Sequence, residues 1–381
     1  MVLADRQDRT GGQPHQVVRV RHGVGFVEVV DPPDQSPFRV PPGAEVLNVQ
    51  VADAEHHGGC GRVGADFRPA LDPAVERRSQ EGKRAFRHPL TLPVRYNLPM
   101  QNGITLTPVD YLVIGHIASD LTPAGARLGG TAAYVALTAR ARGLRVGVVT
   151  AFGWEVPLEV LEGIQVLNLA TERSTTFENI YLPEGRRQVI HHIAPDLRYE
   201  DIPPIWQDAP IVHIGPIAGE AKSLVDGKFS TSMLGMTPQG WLRAWDGDGR
   251  IHAGVWPEAL SALAKADAAV LSLEDVGGDE ELIEAMANAC PVLAVTEGAD
   301  GARLYWNGDL RRFRALKIPE VDPTGAGDIF AAAFFWRFSV TQDPWAAAQF
   351  ATHLASYSVA RRGLDGIPRL DEIQACLVEV L

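Results

Sequence analysis

The residues best suited to chemistry form one seven-residue string, Asp322-Pro323-Thr324-Gly325-Ala326-Gly327-Asp328, followed directly by an apolar, alanine-rich stretch. Glycine lets the backbone turn sharply and approach a ligand closely. The first N–H groups of a helix lack intrahelical partners, and the helix dipole favours negative charge at that end. The string therefore predicts an anion site at a helix N-terminus, suited to a phosphoryl group.

Asp328 falls in the first turn of this predicted helix, beside the place where the anion would rest. A carboxylate in that position can accept the proton of an attacking hydroxyl group during phosphoryl transfer. The alternative is a structural turn in which Asp and Thr only cap the helix. No Walker A motif, G-x-x-x-x-G-K-[ST], occurs in the chain, which excludes the P-loop kinases.

The elements that must position this string are short buried strands that alternate with helices from Asp110 onward. Such alternation predicts a largely parallel sheet covered by helices on both faces. Right-handed crossovers place the loops after the strands along one edge of the sheet. The loops that carry Gly129-Gly130, Thr296 and Gly325-Ala326-Gly327 are therefore expected to meet at that edge.

Three further candidates lie in loops of this predicted edge. Asp120 follows the first strand, where a carboxylate can bind a ligand or simply cap a turn. Gly129-Gly130 precedes a small-residue helix, and the glycines serve either a close ligand or close helix packing. Asp275 lies in an acidic turn after a later strand, where it either helps to bind a metal or remains a solvated turn residue.

The string from Asp322 to Asp328 resembles the second signature of the ribokinase-like (PfkB-type) carbohydrate kinases. The resemblance implies that Gly325, Ala326 and Gly327 form an anion hole and that Asp328 is the catalytic base. It also implies an α/β fold: a ribokinase-like three-layer sandwich with a mostly parallel central sheet, helices on both faces, and a small β lid.

The resemblance extends over about residues 108–370 and keeps the family's order of motifs. The residues that it implies for binding of the phosphate acceptor are Asp120, Gly129, Gly130 and Asp328. The residues that it implies for nucleotide binding are Thr296, Gly298, Gly301, Thr324, Gly325 and Gly327. Asp275 matches a metal-positioning Glu of the family but is one methylene shorter, so that water would bridge it to Mg²⁺.

The sequence departs from the family pattern at three places. Tyr134 stands where the family usually has Asn after the glycine pair. Trp154-Glu155 follow Gly153, where the family usually has Asp. Ser272 stands in place of an Asn before the metal-positioning carboxylate. We expect the first two departures to fall on contacts with the sugar, so they bear on the substrate more than on the fold. The third falls in a motif that, in the family, helps to position Mg²⁺ and phosphate.

The function implied by the resemblance is ATP-dependent phosphorylation of a sugar or polyol hydroxyl group. One alternative is a nucleoside kinase of the same fold, in which Phe177 or Trp154 would stack on a base. Another is a non-catalytic sugar- or nucleotide-sensing protein, which the intact string argues against and Tyr134 and Ser272 argue for. The implied cofactors are ATP and Mg²⁺, with a monovalent cation as a further candidate, and a homodimer through the lid is the implied assembly.

Composition narrows the class of protein. The net charge of −12 argues against a nucleic-acid partner. No apolar run reaches the roughly 18 residues of a membrane span. The three cysteines, Cys60, Cys290 and Cys376, are scattered, which indicates a reducing compartment, and the polar N-terminus is unlike a secretory signal. We therefore expect a cytoplasmic enzyme.

The first part of the chain differs from the rest, and we predict a poorly ordered or weakly structured extension over 1–105 and a kinase domain over 106–381. Lid elements are expected at about 117–130 and 172–195. Gly59 to Gly64 satisfies G-x-G-x-x-G but lacks the flanking strand and helix of a dinucleotide site. The nearby pair His56-His57 and Cys60 has no second pair of zinc ligands at a fitting spacing.

This reading predicts that residues 100–381, expressed alone from Met100 as a candidate start, keep the melting temperature and kinase activity of the full chain. The preceding segment cannot bury enough apolar surface to offset the entropy of ordering it. The rival view is an added regulatory or docking module. Insolubility of the shorter protein, or a loss of several degrees in its melting temperature, would show that the segment packs on the core.

Overall fold

The structure is a computed structural model that describes residues 18–22, 25–29, 45–51, 106–122, 125–182, 185–226 and 229–378. The chain divides into two units, one made of Met1–Val51 with Leu106–Leu381 and the other of Ala52–Thr105. The second unit lies outside the described ranges, as do Gly59 to Gly64, the pair His56-His57 and Cys60.

Strands and helices alternate along the first unit. The strands are β1 (Val18–His22), β2 (Gly25–Val29), β3 (Glu45–Val51), β4 (Tyr111–Ile114), β5 (Ala118–Thr122), β6 (Gly125–Gly129), β7 (Val146–Thr150), β8 (Gln165–Leu169), β9 (Thr175–Leu182), β10 (Gly185–His192), β11 (Ile211–Ile214), β12 (Met233–Met236), β13 (Arg243–Trp245), β14 (Ile251–Ala253), β15 (Ala268–Ser272), β16 (Val292–Thr296), β17 (Ala302–Trp306) and β18 (Asp309–Phe313). The helices are α1 (Thr131–Ala141), α2 (Ala259–Leu263), α3 (Glu280–Ala289), α4 (Ala326–Thr341), α5 (Pro344–Ser358) and α6 (Leu370–Val378).

The central sheet has the strand order β1-β2-β3-β8-β7-β4-β11-β12-β15-β16-β17-β18. All neighbours from β3 to β16 pair in parallel. The pairs at the two margins, β1 with β2, β2 with β3, β16 with β17 and β17 with β18, are antiparallel. The sheet is therefore mostly parallel, as the alternation of elements predicts.

Helices cover both faces of this sheet. In β4, Tyr111 and Val113 join the core beneath α1, α4, α5 and α6, whereas Leu112 and Ile114 join the opposite core beside α2 and α3. The side chains divide in this way because successive residues of a strand point to opposite faces. The result is the predicted three-layer sandwich. No helix in the part of the chain that the structure describes has the length and hydropathy to cross a membrane.

A second sheet of four strands, in the order β10-β9-β5-β6, is formed by the two segments expected to make a lid. Its inner residues include Phe177 and Ile190, which pack against Ala118, Ile217 and Ala218. A hairpin of β13 and β14 follows the central strand β12, and a bridge between Val189 and Arg250 joins this hairpin to the lid strand β10. The hairpin begins with Arg243.

Strand β3 pairs in parallel with β8 at Glu45 to Val49 and so extends the central sheet. This strand lies in the segment 1–105, for which we predicted a weakly structured extension. Most of that segment lies outside the described ranges, so its order and the boundary at residue 105 stay predictions. The truncation experiment also tests whether the pairing of β3 with β8 stabilises the sheet.

Candidate active site

The string from Asp322 to Asp328 forms a turn that leads into α4. Gly325 is the N-cap residue, with φ of 81° in the left-handed region, and no side chain caps the helix. The amide of Ala326 donates to the backbone oxygen of Pro323 at 3.1 Å, so the first amides of α4 left for an anion are those of Gly327 and Asp328, which the start of a helix leaves without intrahelical partners. A Cβ atom added at Gly327 would meet no atom within 4 Å, so the helix start faces open space there.

Asp322 holds this turn in place. Its Oδ1 accepts a hydrogen bond from the amide of Thr324 at 3.0 Å, and its Oδ2 accepts one from the amide of Gly363 at 2.9 Å. Burial opposes ionisation of the carboxyl group, but these hydrogen bonds outweigh it and lower the pKa of Asp322 below its ordinary value. The first Asp of the string thus fastens the turn to the segment after α5.

Tyr134, the residue that replaces the expected Asn, packs on the turn at Gly325. A Cβ atom added at Gly325 would overlap the ring of Tyr134, which is only 3% exposed. Burial raises the pKa of the Tyr134 phenol, and the nearby carboxylates of Asp328, Asp120 and Asp322 raise it further. Our expectation that this departure concerns the acceptor is therefore incomplete, because the ring lies directly against Gly325.

Asp328 is half-buried, and its Oδ1 accepts a hydrogen bond of 2.7 Å from the hydroxyl group of Thr131. Burial raises its pKa from 3.8 to about 6, and the negative charges of Asp275 and Asp120 act in the same direction. The hydrogen bond from Thr131 and the positive charge of Arg243 act in the opposite direction. A carboxylate of this kind is ionised at neutral pH and is a stronger base than an exposed Asp.

Asp120 lies on the lid strand β5, opposite Arg127 on β6. Its carboxylate fills the space where Gly129 would carry a side chain. Gly130 has φ of 86°, and an added Cβ atom would lie 2.7 Å from the backbone oxygen of His116. The two glycines are thus needed for different reasons: Gly129 makes room for a carboxylate, and Gly130 makes a tight backbone turn.

Asp275 is held by the loops around it. Its Oδ1 accepts a hydrogen bond from Nε2 of Gln239 at 3.1 Å, and its Oδ2 accepts one from the amide of Ser272 at 2.9 Å. Burial raises its pKa, while the positive charge of Arg243 lowers it in part. Arg243 therefore acts on the pKa of both Asp275 and Asp328.

Arg243 and Thr131 are two residues near Asp328 to which sequence reasoning assigned no role. Arg243 acts electrostatically on both Asp328 and Asp275, and its guanidinium lies 5.8 Å from the ring centroid of Phe177. The available signal was the Pro-Gln-Gly turn that precedes Arg243, which indicates a loop at the sheet edge. Thr131 offered no signal, because a Thr at a helix start is ordinary.

The predicted nucleotide loop forms the turn between β16 and β17. Thr296 pairs with Ser272 of the neighbouring strand, which places it at the sheet edge that carries Asp275. Gly298 and Gly301 have φ of 58° and 100°, values that favour glycine. Glu297 lies between Thr296 and Gly298. Its carboxylate forms ion pairs with Arg303, at 3.1 Å to Nε, and with Arg312, at 2.9 Å to Nη1, and these pairs restrain the turn.

The aromatic candidates for base stacking differ in position. Phe177 is 3% exposed and belongs to the inner face of the lid, whereas Trp154 is 73% exposed. Glu155, next to Trp154, accepts a hydrogen bond from the amide of Ser174 at 2.7 Å and so anchors the start of β9. This departure from the family pattern thus has a structural role in the segment that leads into the lid.

The site contains hard oxygen ligands but no preformed metal cage. No group of three or more His, Cys, Asp or Glu side chains suited to a metal ion occurs within residues that the structure describes. Mg²⁺ in kinases is bound by one or two carboxylates together with substrate phosphates and water. Asp275 fits that pattern, because each of its oxygens accepts one hydrogen bond and retains a free lone pair. A monovalent cation stays a prediction.

Comparisons with known proteins find related sequences. A model of the pfkB family of carbohydrate kinases matches residues 260–369. The cytidine kinase of Thermococcus kodakarensis is 30% identical over 260 aligned residues, covering 61% of this chain and 89% of that kinase.

Solved structures show the fold. One is a pyrophosphate-dependent kinase of the ribokinase family, solved with a pyrophosphate analogue and myo-inositol. It has a TM-score of 0.57 and 22% sequence identity, and the match covers 70% of this chain and 99% of that chain. A ribokinase-type protein from Escherichia coli, solved with ATP and Mg²⁺, has a TM-score of 0.55 and 20% identity, covering 72% and 100% of the two chains. The three-layer sandwich is the fold of ribokinase-family kinases.

The packing of Tyr134 on Gly325 leads to a prediction about the stability of the protein. Gly325→Ala should lower the free energy of unfolding by about 2 kcal/mol or more, because a Cβ atom is strained at positive φ and would overlap a buried ring. Gly327→Ala is the matched control, since its Cβ atom would meet open space. Thermal unfolding without ligands measures both. Equal melting temperatures for the two variants would contradict the described packing.

Proposed function

The chain belongs to the pfkB family of carbohydrate kinases, and we propose that it transfers the γ-phosphoryl group of ATP to a hydroxyl group of a sugar or polyol. The observation that carries this proposal is the carboxylate of Asp328, half-buried in the first turn of α4 with its pKa raised to about 6. It lies directly after the turn Gly325–Gly327, whose amides suit a phosphoryl group.

In the proposed reaction, the acceptor hydroxyl lies between Asp328 and the γ-phosphorus of ATP. Asp328 accepts the hydroxyl proton while the new O–P bond forms and the bond to the leaving ADP breaks. A base with a pKa of about 6 is mostly ionised at pH 7 and still binds the proton more strongly than an ordinary Asp would. The raised pKa therefore suits the task.

The negative charge that develops on the transferred phosphoryl group is stabilised by groups that are already in position before the reaction. The amides of Gly325 and Gly327 bind the transferred phosphoryl oxygens, while that of Ala326 donates to the backbone oxygen of Pro323 and holds the turn. The guanidinium of Arg243 supplies a positive charge that acts on Asp328. Mg²⁺, when bound, neutralises charge on the donor phosphates, and Asp275 would hold it directly or through water. The positive charges of Arg243 and Mg²⁺ thereby offset the negative charges of Asp120 and Asp275 near Asp328.

The donor is proposed to lie along the edge formed by the turn from Thr296 to Gly301 and the turn from Thr324 to Gly327. ATP is supported by the ribokinase-type structure solved with ATP and Mg²⁺. Pyrophosphate is the donor of another structural relative, so both donors belong in the assay. The acceptor is proposed to contact Asp120, whose carboxylate lies beside Gly129 and acts electrostatically on Asp328.

A nucleoside acceptor is the second candidate. It is supported by the 30% identity with a cytidine kinase and by Phe177, whose ring lies on the inner face of the lid within 5.8 Å of the Arg243 guanidinium. A base could stack on that ring if the lid opens, whereas exposed Trp154 lies outside the buried cluster of the lid. The acceptor class therefore depends on how Phe177 is used.

The experiment that tests the proposal is a screen of sugars, inositols and nucleosides with ATP and with pyrophosphate as donors. Release of ADP or of phosphate, with a phosphorylated product identified by mass, would support phosphoryl transfer. A nucleoside product would select the second candidate. The absence of transfer to any acceptor, in protein shown to bind ATP, would favour a sensing protein and contradict the proposal.

The role of Asp328 makes a direct prediction. Asp328→Asn should lower kcat by about 10²–10⁴-fold, since the amide keeps the shape but cannot accept a proton. Binding of ATP, measured by calorimetry, should persist. Turnover within about tenfold of the unmodified protein would remove Asp328 as the base.

Asp120 makes a second prediction, concerning the acceptor. Asp120→Ala should raise KM for the acceptor far more than KM for ATP, because a carboxylate that binds acceptor hydroxyl groups contributes little to the donor site. Asp309→Ala, at an exposed position of β18, is the control. Equal increases in the two KM values would place Asp120 elsewhere in the mechanism.

A further inference from the structure

Helix α1 presents two side chains to the turn that begins α4. Thr131 bonds to Asp328, and Tyr134 packs against Gly325. The two residues are three apart, so they lie on the same face of the helix. The first residues of α1 therefore contact both parts of the proposed catalytic turn, although Thr131 and Asp328 are 197 positions apart in sequence.

The hydroxyl group of Thr131 does not cap its own helix. The N-cap residue of α1 is Gly130, and no side chain caps the helix start. Thr131 is 2% exposed and donates instead to Oδ1 of Asp328, at 2.7 Å. By contrast, the buried hydroxyl of Thr138 bonds within the helix, to the backbone oxygen of Tyr134. Two buried Thr residues of one helix thus have different partners.

The orientation of the Thr131 hydroxyl is fixed by the methyl group on the same carbon. A Cβ atom added at Gly215 would lie 2.6 Å from Cγ2 of Thr131, so the methyl group lies close against the Gly215 backbone. Gly215 is itself held by a hydrogen bond of 2.8 Å from its amide to the backbone oxygen of Ile114. Because a β-branched side chain is stiff at χ1, this contact directs the hydroxyl group.

From these contacts we infer that Thr131 is a positioning residue for the proposed phosphoryl transfer: it occupies Oδ1 of Asp328 and leaves Oδ2 to accept the proton of the acceptor hydroxyl. The inference rests on the proposed function, in which Asp328 is the base. A hydrogen bond from a hydroxyl group to a carboxylate is charge-assisted and short, so it restrains the carboxylate more strongly than a neutral contact would.

The test compares Thr131→Val with Thr131→Ser. Valine keeps the shape and the methyl contact but cannot donate, and we expect kcat to fall about ten- to hundredfold while both KM values stay within about threefold. Serine keeps the donor, and we expect it to retain kcat within about threefold. Thr138→Val, the same substitution in a buried position of the same helix, should leave kcat unchanged.

A structural role would give a different result. If Thr131→Ser is as slow as Thr131→Val, or if Thr131→Val changes only KM, the donor function is overturned. Should Thr131→Val fail to fold, Thr131→Ala replaces it in the comparison with Thr131→Ser. Melting temperatures verify folding in each case.

Two further outcomes separate this inference from the proposed function. In an Asp328→Asn background, Thr131→Val should cause no further loss of residual kcat, because Thr131 acts through the carboxylate. An additional tenfold loss there would overturn the inference. An active Asp328→Asn variant would instead refute Asp328 as the base, whereas an inactive one with a fully active Thr131→Val would refute only the role of Thr131.

Discussion

The candidate site depends on the partial burial of one carboxylate, Asp328, at the start of α4. Burial raises its pKa to about 6, and the turn that delivers it requires Gly325 in the left-handed region. Three contacts keep this arrangement: the ring of Tyr134 against Gly325, the hydroxyl of Thr131 on Oδ1, and the carboxylate of Asp322 across the turn. The contacts of Tyr134 and Thr131 would be lost if the parallel sheet did not bring the ends of distant elements to one edge.

The charges around this carboxylate shift its pKa. Asp120 and Asp275 disfavour its ionisation, while Arg243 favours it. Arg243 comes from the hairpin β13–β14, which bridges to the lid strand β10, so the charge balance of the site is connected to the position of the lid. Three carboxylates and one guanidinium leave these groups net negative, so an anionic donor needs Mg²⁺ to offset the repulsion.

Much of the fold follows from sequence patterns, since each is a local property. Short apolar runs indicate the parallel strands, and the string that ends at Asp328 indicates the helix N-terminus. The partners of these residues are not local: Thr131 and Arg243 reach Asp328 from distant positions, and their residue types are common at helix starts and in surface loops. Tyr134 was recognised as a departure from a pattern, but its contact with Gly325 required coordinates. The pairing of β3 with β8 likewise joins segments that no periodicity connects.

The most direct test of the central claim is the pH dependence of kcat/KM for the acceptor, at saturating ATP and excess Mg²⁺. A base must be ionised to accept a proton, so activity should be constant well above its pKa and fall tenfold per pH unit below it. With the pKa of Asp328 raised to about 6 by burial, the account predicts that the decline begins near pH 6. Activity that stays constant down to pH 5 would contradict it, because the base would then be an ordinary exposed carboxylate or a different group.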